Sequence, residues 1–250
     1  KIVRPAVKVR GGSNSICIIS YFFNLEKNSI NNNIFRSKYW EGLHNLISDL
    51  NKQINWVHIF VKSEECHNIR KAKSIIKGFD TTENNHMLID QYISFSLVID
   101  TLMDYFRIVF KGFKMVGVKK HFFITSEGIN FWHILSDDWN SSVFGKSAII
   151  NCFYLNIFEN IFREMPTQDK GLYLLENQPW ERAMLYAWHK NNHGYIIGTV
   201  HTAVSYWSLR LFCHPSFEVS SMVLPNAIAL NGMASYEAYC DVKSPIEDIV

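Results

Sequence analysis

The chain has no Cys-x-x-Cys pair, no glycine-rich phosphate loop and no long run of lysine and arginine, and each absence removes a class of function. Its five cysteines, Cys17, Cys66, Cys152, Cys213 and Cys240, are odd in number and widely spaced. That spacing argues against a disulfide framework and a zinc ribbon, and for a reducing compartment. No G-x-G-x-x-G, Walker loop or G-x-S-x-G occurs, and Ser126-Glu127-Gly128 is not a nucleophile elbow, so simple nucleotide-binding and hydrolase readings lose support. With a net charge of +2 and only small basic clusters such as Lys111, Lys114, Lys119 and Lys120, nothing electrostatic points to nucleic acid. A mild attraction to anionic lipid or to a phosphorylated substrate stays open, and with it peripheral membrane association. No secretory signal is visible, because the first apolar run, Ile16 to Phe23, leads into Asn24 and Glu26 instead of a small-residue cleavage site. The most apolar long stretch, Ile93 to Phe113, carries Asp100, Asp104, Arg107 and Lys111 and will not span a bilayer. The expected location is the cytoplasm, with the inner face of the membrane as the alternative. No internal repeat or low-complexity linker is present.

What is there describes a folded chain, since 48% of its 250 residues are apolar and 19% charged. Residues 15–23 and 54–62 are continuous β-rich apolar runs. Between them Tyr39, Trp40, Leu43, Leu46, Ile47 and Leu50 recur at helical spacing behind Ser37, a candidate N-cap. Strand, helix and strand of these lengths predict a right-handed βαβ unit. From about 64 to 165 the pattern turns mostly helical. A first helix is expected between Ser63 and Gly78, a second over the broad apolar stretch 88–113, and a third ending at Pro166, with 81–86 and 136–142 read as loops. The last third returns to strand, helix and strand: 171–178, then a helix with Pro179 at its first position, then 194–201. Trp180, Met184, Ala187 and Trp188 share one stripe of that helix, leaving Glu181, Arg182 and Lys190 nearer its edges. The expected class is α/β, a Rossmann-like parallel sheet with a largely helical middle insertion.

In a second βαβ unit the strands are parallel, so Glu176-Asn177-Gln178 and His201-Thr202 converge at the same edge of the sheet. Open α/β sheets bind ligands beyond the carboxyl ends of their strands, where loops and helix N-termini supply donors. A carboxylate and an imidazole meeting there suit shared acid–base work or a phosphate-bearing ligand. The plainer alternative is that these polar residues cap the next helix and satisfy loop amides. His189 and His193 have metal-compatible spacing but no third ligand in sequence, and Asp100 and Asp104 are explained by a solvated helix face.

Three stretches, 19–61, 174–212 and 224–232, resemble successive landmarks of a bacterial family of surface-carbohydrate biosynthesis proteins regarded as glycosyltransferases of O-antigen or capsule-type polysaccharides. The most specific part is the E-N-Q-x-W-E-R block at 176–182, followed by G-x-x-H-[ST] at 198–202 and the Pro225 to Gly232 strand. The resemblance implies a GT-B type enzyme with two Rossmann-like lobes facing a cleft, working without a bound metal or cofactor. Its substrates would be a nucleotide-activated sugar, with a CMP-activated keto-sugar acid as one donor class, and a glycan or lipid-linked glycan acceptor.

Carried over by position, the resemblance implies that Glu176 or His201 is the catalytic base toward the acceptor hydroxyl, with His201 alternatively stabilising the leaving phosphate. It assigns Asn177, Glu181, Arg182, Thr202, Asn231 and Gly232 to substrate binding. Arg182 has a structural alternative as partner of Glu176 or Glu181. The family has acidic residues where this chain has Ser208 and Asn226, and either change would weaken a hydrogen bond to sugar or ribose. The resemblance also sets an expected division: residues 1–222 as an acceptor-side lobe and 223–250 as the start of a donor-side lobe cut short, giving an inactive fragment. The alternative function, from a different class, is a non-catalytic Rossmann-like binding or scaffold module of a polysaccharide assembly system.

Overall fold

The computed structural model describes residues 9, 11–22, 24–50, 52–64, 66–124, 127–201, 204, 222–241, 246 and 248–250. It divides into two compact units, one made of 1–92 and 158–250 and the other of Ile93–Ile157.

The first unit is built on a parallel sheet. Strand β1, Gly12–Phe22, is the continuous apolar run expected near the start. Helix α1, Ser29–Asn32, and α2, Glu41–Asp49, follow, the latter entered through a 3-10 turn at Lys38–Trp40 in which the Tyr39 amide donates to Ser37 Oγ. Strand β2, Gln53–Phe60, lies parallel to β1 with Ile18 opposite Trp56. Helix α3, Ile69–Phe79, is capped by Asn68, whose side chain accepts from the Lys71 amide. The cap expected at Ser63 instead closes a short turn onto the Cys66 amide, and Gly78 sits inside the helix. Strand β3, Asn84–Leu88, extends the sheet through residues 84–86, expected to be loop, to Leu88, expected to begin a helix that starts only at Phe95.

In the second unit α4, Phe95–Lys114, starts at Ser94, whose Oγ accepts from the Leu97 amide. A two-stranded ribbon of β4, Phe123–Ile124, and β5, Ile129–Asn130, leads to α5, Trp132–Val143. Residues 136–142 are therefore helical, not loop. Gly112 brings α4 against Val143 and Phe144, and Tyr105 Oη donates to the Phe144 carbonyl at 2.6 Å. Helix α6, Lys146–Glu164, contains the division between the units.

Back in the first unit come β6, Gln168–Leu175; α7, Pro179–Lys190; and β7, Tyr195–Val200. They are followed by β8, Ala227–Ala229, and α8, Met233–Asp241. The six-stranded sheet runs β3-β2-β1-β6-β7-β8, every pairing parallel. This is the Rossmann-like order, in which connections leave β1 in one direction and β6 in the other. Within the range expected to open a second lobe, 223–250, the described β8 forms the last strand of this sheet. Ala227, Ile228 and Ala229 pair with Ile197, Gly198 and Thr199, and Ile249 bridges Ile228.

The packing follows from strand alternation. Ile16, Ile18 and Phe22 of β1 and Ile54 and Trp56 of β2 gather with Ala72 and Ile76 of α3 and with Leu43 and Ile47 of α2 on one face. On the α7 side Trp188, fully buried, packs where Gly171 leaves room, and Phe162 and Phe158 meet Trp188 and Trp180. Buried polar groups tie the strands at their amino ends. Asn55 Nδ2 donates to Gln168 Oε1 at 2.8 Å, and the Gln168 amide donates to Nδ1 of His193 at 3.1 Å.

Candidate functional site

The reversal of strand order puts the crevice between the carboxyl ends of β1 and β6, and the chain leaves both strands in the same unusual way. Asn24, just past β1, has φ 62, and Asn177, just past β6, has φ 57. An L-residue in this left-handed region is strained, and asparagine tolerates it better than other side chains. Past Asn24 the chain doubles back, with Leu25 bridging Ser37 and the Lys38 amide donating to the Asn24 carbonyl at 3.0 Å. That fold carries Tyr39 over the sheet edge, where its ring meets His201 edge-on at 4.4 Å. Burial, then the Glu176 carboxylate, raise the Tyr39 phenol above its ordinary range, against a side-chain hydrogen bond with Asn24 that lowers it. Tyr39 thus meets residues from the ends of β1, β6 and β7: it hydrogen-bonds with Asn24, feels the charge of Glu176 and packs against the His201 ring.

Beneath them Trp180 Nε1 donates to Tyr21 Oη at 2.8 Å, with the two rings edge to face. This joins the floor of the crevice to the first turn of α7. The loop between β6 and α7 is held by one side chain. Glu181 accepts at Oε1 from the amides of Glu176, at 2.9 Å, and Gln178, at 2.8 Å, and at Oε2 from Asn177 at 3.1 Å. Glu181 is 2% exposed. Burial pushes its carboxyl up to about 7, while the three amide donors pull the other way.

Of the residues singled out in the sequence, Glu176, Asn177, His201, Asn231 and Gly232 all fall at the carboxyl edge. Glu176 and Asn177 are partly exposed there, and His201 is exposed. Asn231 follows β8, donates weakly to the His201 carbonyl at 3.5 Å, and accepts from Ser235 Oγ at 2.6 Å. Gly232, with φ 119, opens α8 beside it. Glu181 is not at the edge of its helix, as its place in the wheel suggested, but under the loop, with both oxygens committed to backbone. Arg182 is exposed and donates to the Val223 carbonyl. Asn226 lies at the other end of β7, where its Oδ1 accepts from the Ile196 amide at 2.8 Å and starts the β7–β8 ladder. Its role there is structural, away from the crevice. Thr202 and Ser208 lie outside the described residues. The sequence reading did not assign Tyr21, Asn24 and Tyr39 to the site; an asparagine directly behind an apolar strand was the available signal for the middle one.

A cavity lies elsewhere, at the amino ends of β2 and β3, lined by Arg36, Lys52, Glu83, His44 and His86 among others. Its wall is core: Trp56 stacks on His44, His58 and His86, and His58 Nε2 and His86 Nδ1 are 3.0 Å apart. Burial, then the Arg36 charge, lower His44 to about 4, and burial alone lowers His58 to about 3. These imidazoles are held neutral by packing, so topology and strain favour the β1/β6 edge over this hollow. Among the described residues, His, Cys, Asp and Glu side chains nowhere gather in a group able to hold a metal ion. No described helix is long and apolar enough to cross a membrane. No family model, curated protein or solved structure matches this chain.

Proposed function

We propose that the β1/β6 edge binds a sugar, and that the protein acts as a glycosyltransferase using a nucleotide-activated donor. The observation that carries this reading is the pair of left-handed asparagines, Asn24 and Asn177, bracketing the point where strand order reverses. Strained backbone on both sides of a topological switch point is a pattern of ligand sites. The side chains around it are hydrogen-bonding and aromatic, which suits a hydroxyl-rich ring: Tyr39 and His201 at the mouth, Glu176 and Asn177 on the loop.

In this reading Glu176 takes the proton of an acceptor hydroxyl as its oxygen bonds to the anomeric carbon, while the bond from that carbon to the nucleotide phosphate breaks and the phosphate leaves with the electron pair. His201, across from Glu176 through Tyr39, orients the hydroxyl or hydrogen-bonds the leaving phosphate. Glu181 fixes the Glu176 backbone without touching substrate.

The test is release of nucleotide from CMP- and UDP-sugars in the presence of glycan acceptors, with sugar binding followed separately by saturation-transfer NMR. Replacing Glu176 with Gln should slow transfer by about 10²- to 10⁴-fold with sugar binding within a few-fold. Near-normal transfer in that variant excludes the base role. Glycan binding without turnover in the unaltered chain would favour a binding module of a polysaccharide assembly system, and absence of both would overturn the sugar-site reading.

A further inference from the structure

Helix α4 leaves a long apolar face uncovered. Phe95 is 75% exposed, Phe106 64%, Phe110 61% and Phe113 72%, and Ile99, Leu102 and Met103 are exposed between them. At roughly 100° per residue these seven side chains fall in one stripe. The opposite side of the helix is occupied: Leu97 and Thr101 are buried, and Gly112 meets Val143 and Phe144. Four phenylalanines of roughly 200 Å² each, about two-thirds uncovered, with the three aliphatics alongside, offer on the order of 700 Å², close to the ~800 Å² per partner of a stable complex.

Beside the apolar stripe runs a second row with a sign reversal along it. Asp100 and Asp104 stand toward its start, and Arg107, which also pairs with Asp104 of its own helix at 2.6 Å, Lys111 and Lys114 toward its end. A uniformly anionic surface would attract one end of this row and repel the other. An inverted copy of the same helix complements both ends. We infer that this face packs on the same face of a second copy of the chain, antiparallel, with the two-fold axis at the middle of α4 near Asp104 and Tyr105. In that register Ile99 meets Phe110 of the second copy, Met103 meets Phe106, and Asp100 lies between Arg107 and Lys111 of the second copy, each contact made twice. The inference is independent of the sugar-transfer reading.

Sedimentation velocity on the full chain across the micromolar range tests it, with circular dichroism on each variant. The unaltered chain should dimerise, and Phe106→Asp, at the centre of the face, should weaken association about a hundredfold. Asp100→Lys and Lys111→Glu, both at exposed positions that leave the fold intact, should each weaken it about tenfold, because symmetry counts the lost pair twice. Mixed together, these two single variants should form a heterodimer tighter than either homodimer, which separates a lost contact from a lost fold. A monomer throughout, association unaffected by the variants, or a monomer that adsorbs only to vesicles of anionic phospholipid would overturn the inference.

Discussion

At the residue scale the candidate site depends on Glu181, which never reaches it. Its carboxylate accepts the amides of Glu176, Asn177 and Gln178, and so determines where the Glu176 side chain starts. Glu181→Ala leaves three loop amides without this acceptor and should lower unfolding free energy by about 3 kcal/mol in urea titrations, the scale of orphaned buried donors. Glu181→Gln keeps one acceptor oxygen and should cost less. Asn177 tests the backbone directly. Its φ of 57 is one that glycine adopts freely and a β-branched residue resists. Asn177→Gly should therefore retain the fold, while Asn177→Val should lose roughly 1–2 kcal/mol. Equal stability of the two variants would mean that the left-handed turn is not a constraint.

At the scale of elements the decisive contact is that of α7 on β6. A methyl group on Gly171 would meet Trp188 at 2.8 and 2.9 Å and Ile196 at 3.0 Å. Gly171→Ala should thus cost about 1–3 kcal/mol by overpacking. Because the two closest atoms belong to the six-membered ring of the indole, Trp188→Phe in the same chain should recover part of that loss, a coupling that a double-mutant cycle in thermal unfolding reads out. The stripe of Trp180, Met184, Ala187 and Trp188 was legible in the sequence because periodicity reports burial. For the same reason β1, β2, β6, β7 and the long helices were legible. The strand β3 was not, since Asn84-Asn85-His86 reads as loop and becomes strand only through the β2 edge and the Asp80 carboxylate, which accepts the His86 amide at 2.8 Å. Nor was α5, whose Ser136-Asp137-Asp138 run resembles a turn, or the place of β8, three residues whose strand state depends on β7. The site was legible in half: parallel strands brought Glu176 and His201 to one edge, but the strand order that makes β1 their neighbour, and so recruits Asn24 and Tyr39, is a long-range fact that no local pattern carries.

At the scale of the whole molecule stability should depend on pH through the buried imidazoles of the sheet. His44, lowered to about 4, His58, lowered to about 3, and His86, held well below its ordinary value by burial and by its histidine neighbours, stay neutral in the native state. In the unfolded chain each titrates near 6.5. Above that value neither state is protonated and their contribution is complete. As pH falls below 6.5 the unfolded chain binds protons that the native state refuses, so stability is lost, with a slope of about 1.4 kcal/mol per pH unit for each histidine. Glu181 opposes this. Its carboxyl, pushed up to about 7 in the native state, lies above its ordinary value of 4.5, so its contribution is present at low pH and disappears as pH rises through 7. Three groups against one leave a net loss on acidification, and urea midpoints should fall from pH 7 to pH 5. Glu181→Gln should steepen that fall by removing the opposing group, and a profile flat over this range would mean that the histidine cluster is hydrated or protonated in the native state. The same cluster explains why the hollow beside it does not compete as an acid–base site: groups that a fold holds neutral through the whole physiological range stabilise a sheet, whereas at the carboxyl edge Glu176 is half-buried and His201 exposed.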